Sequence, residues 1–349
     1  GAGAGASADA GVGRETGGCE GAIRVVTLEG CYEAVVPKRR LRRKENYLVH
    51  QRRLEACSFC RDVLKRGDKV TDADVLNMLR TWAFVPNPVR RNVIPEGETW
   101  VFSDTLGAVS SRTKACVESH LSSAYPDVLR LLGRWAGDRG PRARSGGHAR
   151  PFPFTSVNLN FAYAARLHRD RFNAGPSLIR ALGNFEGGRL GYYPNDDRSL
   201  PVGSLPASDR QFIDTREEFH VFDGRRGHCV ESFSGERFSV VFFTCGRYAA
   251  AEKELRQKLV KAGVAWPTAA ALDAFARQLP RPCGYPGVVA PAAAAAETRK
   301  RRAADSDSES EEAQGSTSSG RRCRLRGKTN AAAAALAGGS GGAAADTTA

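Results

Sequence analysis

The chain has 349 residues, with 52 Lys and Arg against 38 Asp and Glu, a formal net charge of +14 before six His are counted. Hydrophobic residues make up 41% and charged residues 26%, enough for a sizeable core. No apolar run nears the roughly 18 residues of a membrane-spanning helix, and the strongest is 238–243, so no membrane partner is expected.

In chain order, residues 1–20 are Gly/Ala-rich and bury too little apolar area to offset chain entropy, so they read as disordered. From 21 to 150 the texture is mainly helical, an N-terminal extension packed on the core. Within it, Thr71 with Asp74 three residues on forms a capping box, and Val75, Leu76, Leu79, Trp82 and Ala83 then share one helical face. Segments 114–121 and 127–135 also read as helices, and 99–102 as a strand. Residues 151–248 change to short alternating strands broken by Gly, Pro and Asp-Gly turns. Two helices close the fold within 249–283, at 249–261 and at 269–279, the second capped by Thr268 behind Pro267. Residues 284–349 form a low-complexity, disordered tail with basic clusters at 299–302 and 321–328 and an acidic serine run at 305–312. The fold class is α+β.

Nine Cys at scattered positions give no disulfide framework and read as free thiols of a reducing compartment. The positive charge points to an acidic partner, DNA or RNA first. The 299–302 cluster resembles a nuclear-import signal, so the expected location is nuclear or cytoplasmic. The chain opens at Gly1 and holds one Met, Met78, which reads as a fragment or trimmed product.

The chemistry concentrates in residues 155–170. As a strand of period two, Asn158, Asn160, Arg166, His168 and Asp170 point to one side, while Val157, Leu159, Phe161, Tyr163 and Leu167 point to the packed side. His168 and Asp170 are two residues apart on one face, the spacing of two metal ligands at a strand end. His228, after the Phe222-Asp223-Gly224 turn, offers a third. Two His and one carboxylate on one octahedral face leave three open positions, the arrangement of non-haem Fe(II) oxygenases. Arg237 and Ser239 share a strand face and can grip one carboxylate together.

His168-x-Asp170, then His228, then Arg237-x-Ser239 resembles the Fe(II)/2-oxoglutarate-dependent dioxygenase superfamily, over about residues 152–247. The wording around 168–190 and 222–244 is further similar to TET/JBP-like oxygenases of algae and protists. The resemblance implies a double-stranded β-helix (jelly-roll) core. It implies Fe(II) on His168, Asp170 and His228, and 2-oxoglutarate on Arg237 and Ser239. Asn158 or Asn160 would hydrogen-bond the co-substrate, and Asn173 would contact substrate or stabilise its turn. The implied reaction consumes O₂ and 2-oxoglutarate and hydroxylates a substrate C–H bond. A nucleobase in DNA or RNA is the first substrate class, a prolyl-type protein side chain the second. A non-catalytic nucleic-acid-binding or scaffold protein is the third reading.

Plainer roles stand beside these. His220 rivals His228 as the distal ligand. Arg237 has Glu231 and Glu236 as surface partners within reach. Cys57, Cys60, Cys116 and His120 are a weak zinc set, with core thiols the default. The basic stretch 38–44, continuing to Arg52 and Arg53, reads as a solvated helix face or a nucleic-acid contact. Gly187, Gly188, Gly224 and Gly235 read as turn residues.

Overall fold

A computed structural model describes residues 22–27, 30–35 and 43–279, apart from 112, 114 and 146. The expectations for the two ends, for the basic stretch at 38–42 and for the clusters at 299–302, 305–312 and 321–328 lie outside these residues.

Strands β1 (Ala22–Thr27) and β2 (Gly30–Val35) pair as a hairpin. Two helices follow, α1 (Arg43–Lys65) and α2 (Asp72–Thr81). The α2 start is the expected capping box: Thr71 Oγ1 accepts from Asp74 N–H, and the Asp74 side chain accepts from Thr71 N–H.

Next come β3 (Pro86–Asn87), β4 (Val101–Ser110), β5 (Cys116–Glu118), α3 (His120–Ala124), α4 (Pro126–Arg139), and the β6 (Arg142–Ser145) and β7 (His148–Pro151) pair. Residues 116–118, expected to be helical, are a strand. Ser110 to Glu118 is a turn and return along β4, and backbone pairing of Val109 with Val117 overrides local propensity.

The remaining elements are β8 (Ser156–Phe161), β9 (Ser177–Leu182), β10 (Phe185–Gly187), β11 (Leu190–Tyr192), β12 (Gln211–Ile213), β13 (His220–Phe222), β14 (His228–Val230), β15 (Phe233–Gly235), β16 (Phe238–Phe243), α5 (Lys253–Lys261) and α6 (Ala269–Ala276).

The large antiparallel sheet runs β13-β9-β16-β8-β4-β3, with β5 on β4, and a small sheet runs β12-β11-β14. Residues 165–168 extend the small sheet beyond β14, through the His168–His228 bridge and the Val230 N–H bond to Ala165 C=O. From β8 onward the chain therefore alternates between sheets: β8 large, 165–168 small, β9 large, β11 and β12 small, β13 large, β14 small, β16 large. This is a double-stranded β-helix. The segment before residue 150 is more than a helical cover, because β4 pairs all along β8 and enters the barrel wall.

The two faces of the large sheet differ in chemistry. Val157, Leu159, Phe161, Phe238, Val240 and Phe242 face outward into a core closed by Trp82, Leu79, Leu132 and Trp135 from the helices. Each such side chain contributes about 1.5–3 kcal/mol on burial. The inward face carries Asn158, Asn160, Ser239 and Val241 toward the small sheet. A second cluster of Ile179, Leu190, Tyr192 and Phe222 fills the space between sheets. Polar residues inside a barrel are costly unless partnered, which locates the site.

Candidate active site

Residues 155–170 do not form one strand. β8 ends at Phe161, Ala162 takes a left-handed φ of 55°, and the chain crosses to the small sheet. His168 and His228 then exchange both backbone hydrogen bonds, at 2.9 and 3.0 Å. Directly opposed residues in an antiparallel pair project to the same side, and the two imidazole centroids lie 4.1 Å apart. Asp170 N–H donates to Gly224 C=O at 2.7 Å, which turns its carboxylate toward the same point.

The Nδ1 atoms of His168 and His228 lie 2.8 and 2.9 Å from the carbonyls of Arg166 and Arg226. A carbonyl only accepts, so each Nδ1 carries the proton and each Nε2 keeps its lone pair. Asp170 Oδ1 is 3.8 Å from His168 Nε2, and Oδ2 is 3.9 Å from His228 Nε2. These distances are too long for hydrogen bonds, and suit donors sharing a central ion. Among the described residues this is the one group of three or more His, Cys, Asp or Glu able to hold a metal, with donor atoms all within 4.8 Å. Burial pushes the His168 imidazole down to about 3, helped by His228 and opposed by Asp170, so it is neutral and ready to ligate at pH 7. Two imidazoles and one carboxylate fit Fe(II).

Asn173 Nδ2 donates to Asp170 Oδ2 at 3.3 Å, so this predicted substrate residue also holds a ligand in place. A Cβ added at Gly224 would stand 3.3 Å from Asp170 Oδ2 and 3.2 Å from Ser177 Oγ. Gly224 thereby sets how closely the carboxylate can pack.

Arg237 is 2% exposed, and its Nε and Nη2 have no hydrogen-bond partner. Both expected surface partners are taken: Glu236 holds Arg80, and Glu231 holds Arg189. The guanidinium is flanked by the Phe185 and Phe233 rings at 5.3 and 5.4 Å. It also presses on Gly188, where a Cβ would lie 2.7 Å from Nε. Burial lowers its pKa to about 10, leaving it charged at pH 7. A buried guanidinium with two partnerless nitrogens is costly unless an anion meets it, and a carboxylate is the anion its planar fork fits.

Asn160 connects to that end. Its Oδ1 accepts from Ser103 Oγ and Tyr163 Oη, both at 2.8 Å, and its Nδ2 donates to Ser239 Oγ at 3.3 Å. Asn158 belongs to a different place: its Oδ1 accepts from Thr105 Oγ1, and it lines a cavity of about 220 Å³ with Arg90, Asp170 and Cys245. A second cavity of about 790 Å³ is lined by Arg166, Arg169, Arg171, His168 and Asp170. Phe172 and Asn173 line both cavities.

Sequence reasoning missed Tyr163, Ser103 and Arg90. Period two puts Tyr163 on the packed side, but the left-handed Ala162 breaks the alternation and brings its hydroxyl to Asn160. Burial raises the pKa of that phenol. Arg90 Nη1 donates to Ser103 Oγ at 3.0 Å, so both come from the segment read as a helical layer.

The alternatives resolve elsewhere. His220 sits on β13, 4.0 Å from Glu218, outside the triad. Cys57 Sγ donates to Asp127, and burial, then the neighbouring Cys245, pushes the Cys116 thiol up to about 11, so these are core thiols rather than a zinc set. Arg53 is buried, with Asp104 at 2.8 Å and its guanidinium over Trp82, which makes it a structural residue and not a surface contact. No helix among the described residues is long and apolar enough to cross a membrane.

No family model matches the sequence, and no curated protein matches it. One similar solved structure is an oxidoreductase of the 2OG-Fe(II) oxygenase family from Burkholderia pseudomallei. It has 16% identity and a TM-score of 0.28 over 46% of this chain and 72% of that one. Another is a prolyl hydroxylase from Trichoplax adhaerens, in complex with a hypoxia inducible factor oxygen degradation domain peptide. It has 16% identity and a TM-score of 0.26 over 56% of this chain and 83% of that one. A prolyl-4-hydroxylase from Pseudomonas putida has 14% identity and a TM-score of 0.23, over 57% and 86%. At these values the likenesses are distant, and no activity passes from them to this chain.

Proposed function

We propose that this chain is an Fe(II)- and 2-oxoglutarate-dependent dioxygenase that hydroxylates a C–H bond of a nucleobase in DNA or RNA. The observation that carries the activity is the His168, Asp170 and His228 convergence beside the buried, unpaired Arg237. Bound at the triad, iron with 2-oxoglutarate and O₂ supplies the oxidising chemistry.

The chain's own residues do the rest. The carbonyls of Arg166 and Arg226 fix both imidazole tautomers, and Asn173 steadies Asp170. Arg237 takes the distal carboxylate of 2-oxoglutarate as a charge-assisted pair. Ser239, Asn160 and Tyr163 form the hydrogen-bonded wall on that side. Phe185 and Phe233 keep water from the clamp, which strengthens the pair.

For the substrate class, the support is the charge of the approach. Arg166 is held by the carbonyls of Arg91 and Asn92, and Arg90 by Ser103, so neither cation is neutralised by a carboxylate. Arg166 lines the larger cavity and Arg90 the smaller one; Arg169 in the larger is paired with Asp196, so these two cations are the ones that would draw phosphate to the approach.

The test is anaerobic titration with Fe(II) and 2-oxoglutarate, reading the weak visible charge-transfer band, followed by succinate release with oligonucleotide or peptide. The band is expected in wild type, absent in His168→Ala and weakened in Arg237→Ala. No band from folded, iron-loaded protein would overturn the activity. Succinate release coupled only to a Pro-containing peptide would replace the nucleobase with a prolyl-type side chain.

A further inference from the structure

Phe172 follows the ligand Asp170 by two residues and is 82% exposed. Nothing about its backbone is loose. Its carbonyl accepts from Gly246 N–H at 2.8 Å, Asn173 bridges Cys245, and Ala174 N–H donates to Thr244 C=O at 2.8 Å. The ring is thus held out into solvent by a clamped strand end, at the rim that the two cavities share with Asp170.

On one side of the ring lies the arginine-lined mouth. On the other lies the smaller cavity, whose inner wall carries Asn158 and Thr105. Thr105 Oγ1 spends its proton on Asn158 Oδ1 at 2.6 Å, which sets the amide with its oxygen toward Thr105 and its nitrogen away from it. The amide N–H groups are then the donors that Asn158 can offer to the cavity it lines with Arg90.

Resting on the reading of the site as a nucleobase dioxygenase, we infer that Phe172 is the platform on which the substrate nucleotide stacks, and that Asn158 with Thr105 reads the edge of the base. An aromatic face beside a cationic groove is the arrangement that holds unstacked bases, because every base has a π face and each phosphate a charge. An acidic peptide would meet the same arginines but has no use for an exposed flat ring. The partner is therefore single-stranded nucleic acid or a nucleotide turned out of a duplex.

The experiment is fluorescence anisotropy of a labelled single-stranded oligonucleotide on the full chain, loaded with Mn(II) and 2-oxoglutarate without O₂. The set comprises wild type, Phe172→Ala, Phe172→Trp and Asn158→Ala. Stacking predicts that Phe172→Ala weakens binding about 5- to 100-fold while Phe172→Trp keeps or tightens it. Asn158→Ala should change the preference among homopolymers of the four bases more than the overall affinity. Since Phe172 is exposed, its replacement leaves the fold and the anaerobic Fe(II)–2-oxoglutarate band unchanged. An intact band with equal oligonucleotide affinity in wild type and Phe172→Ala would overturn the stacking role and leave the dioxygenase reading standing. A Glu-rich peptide that competes as well as the oligonucleotide would also overturn it, in favour of a protein substrate. Loss of the band in wild type points instead at the reading of the site.

Discussion

Arg237→Met should move stability and co-substrate binding in opposite directions. In the ligand-free protein the guanidinium is 2% exposed, and Nε and Nη2 lack partners. Each buried, unmade hydrogen bond costs about 1–3 kcal/mol. Against that stand two ring contacts, to Phe185 and Phe233, of about 2 kcal/mol each at so desolvated a site. Methionine keeps a flexible chain of similar reach between the rings and carries no charge. The two largely offset, and with the buried charge itself removed the net expectation is a ligand-free protein more stable by about 0–2 kcal/mol, within the neutral-to-stabilising range of buried ions replaced by apolar residues. For a domain of this size that is a rise in Tm of about 2–4 °C per kcal/mol. Wild type with Mn(II) should gain about 2.7 kcal/mol from 2-oxoglutarate at a hundred times its Kd, and the variant nearly nothing. Thermal melts of both proteins with Mn(II), with and without 2-oxoglutarate, give all four numbers. An Arg237→Met protein that is less stable when ligand-free, or one that 2-oxoglutarate still stabilises fully, would refute the assignment of Arg237 as a carboxylate clamp.

Three other perturbations probe the same frame. Gly224→Ala brings a methyl group to within 3.3 Å of Asp170 Oδ2, so Fe(II) affinity should fall about 10- to 100-fold, as for displaced outer-shell partners of a metal; anaerobic metal titration reads it. Tyr163→Phe removes one bond to Asn160, so the KM for 2-oxoglutarate should rise about 2- to 10-fold with little change in Tm, and an unchanged KM would take Tyr163 out of the pocket. At Asp72, burial raises the pKa, but bonds from the buried Arg180 and from Trp135 outweigh it and hold the carboxyl below its usual range. Its contribution is then present above the unfolded pKa of about 3.9 and lost as pH falls through the folded value. Asp72→Asn should cost about 2–3 kcal/mol at pH 7 and show a flatter loss toward pH 3 in urea melts; parallel pH profiles would contradict the sign.

Where the chemistry is local, the sequence was readable. The Thr71–Asp74 cap starts α2, and the alternation of Val157, Leu159 and Phe161 with Asn158 and Asn160 sorts β8 into an outer and an inner face. Where pairing is remote, it was not. Residues 102–107 find their partners about 50–60 residues on, in β8, and that pairing carries Ser103, with Arg90 bonded to it, into the site; 116–118 become a strand only by returning along the β4 so placed. The positive φ at Ala162 carries no Gly or Asn to announce it, so period-two reasoning ran through it and sent Tyr163 to the wrong side. His168 and Asp170 still came out on one face, because the two-residue spacing survives the change of sheet and the pairing with His228 restores alternation.

The two asparagines show most sharply what spacing omits. Asn158 and Asn160 are same-face neighbours with identical side chains, and from the sequence both belong to one co-substrate wall. Each acquires its role from what stands opposite in the sheet. Asn160 is in register with Ser103 and Ser239, and Ser239 is two residues from Arg237. Asn158 is in register with Thr105 and Val241, one strand step nearer Cys245 and the smaller cavity. A single step of two residues along β8 therefore separates the residues grouped with Arg237 from the wall of the smaller cavity. Because neighbouring strands set that division, an Asn158→Ala change should leave the 2-oxoglutarate KM alone, while Asn160→Ala should raise it. Equal effects on KM in steady-state assays would mean that the two asparagines serve one site.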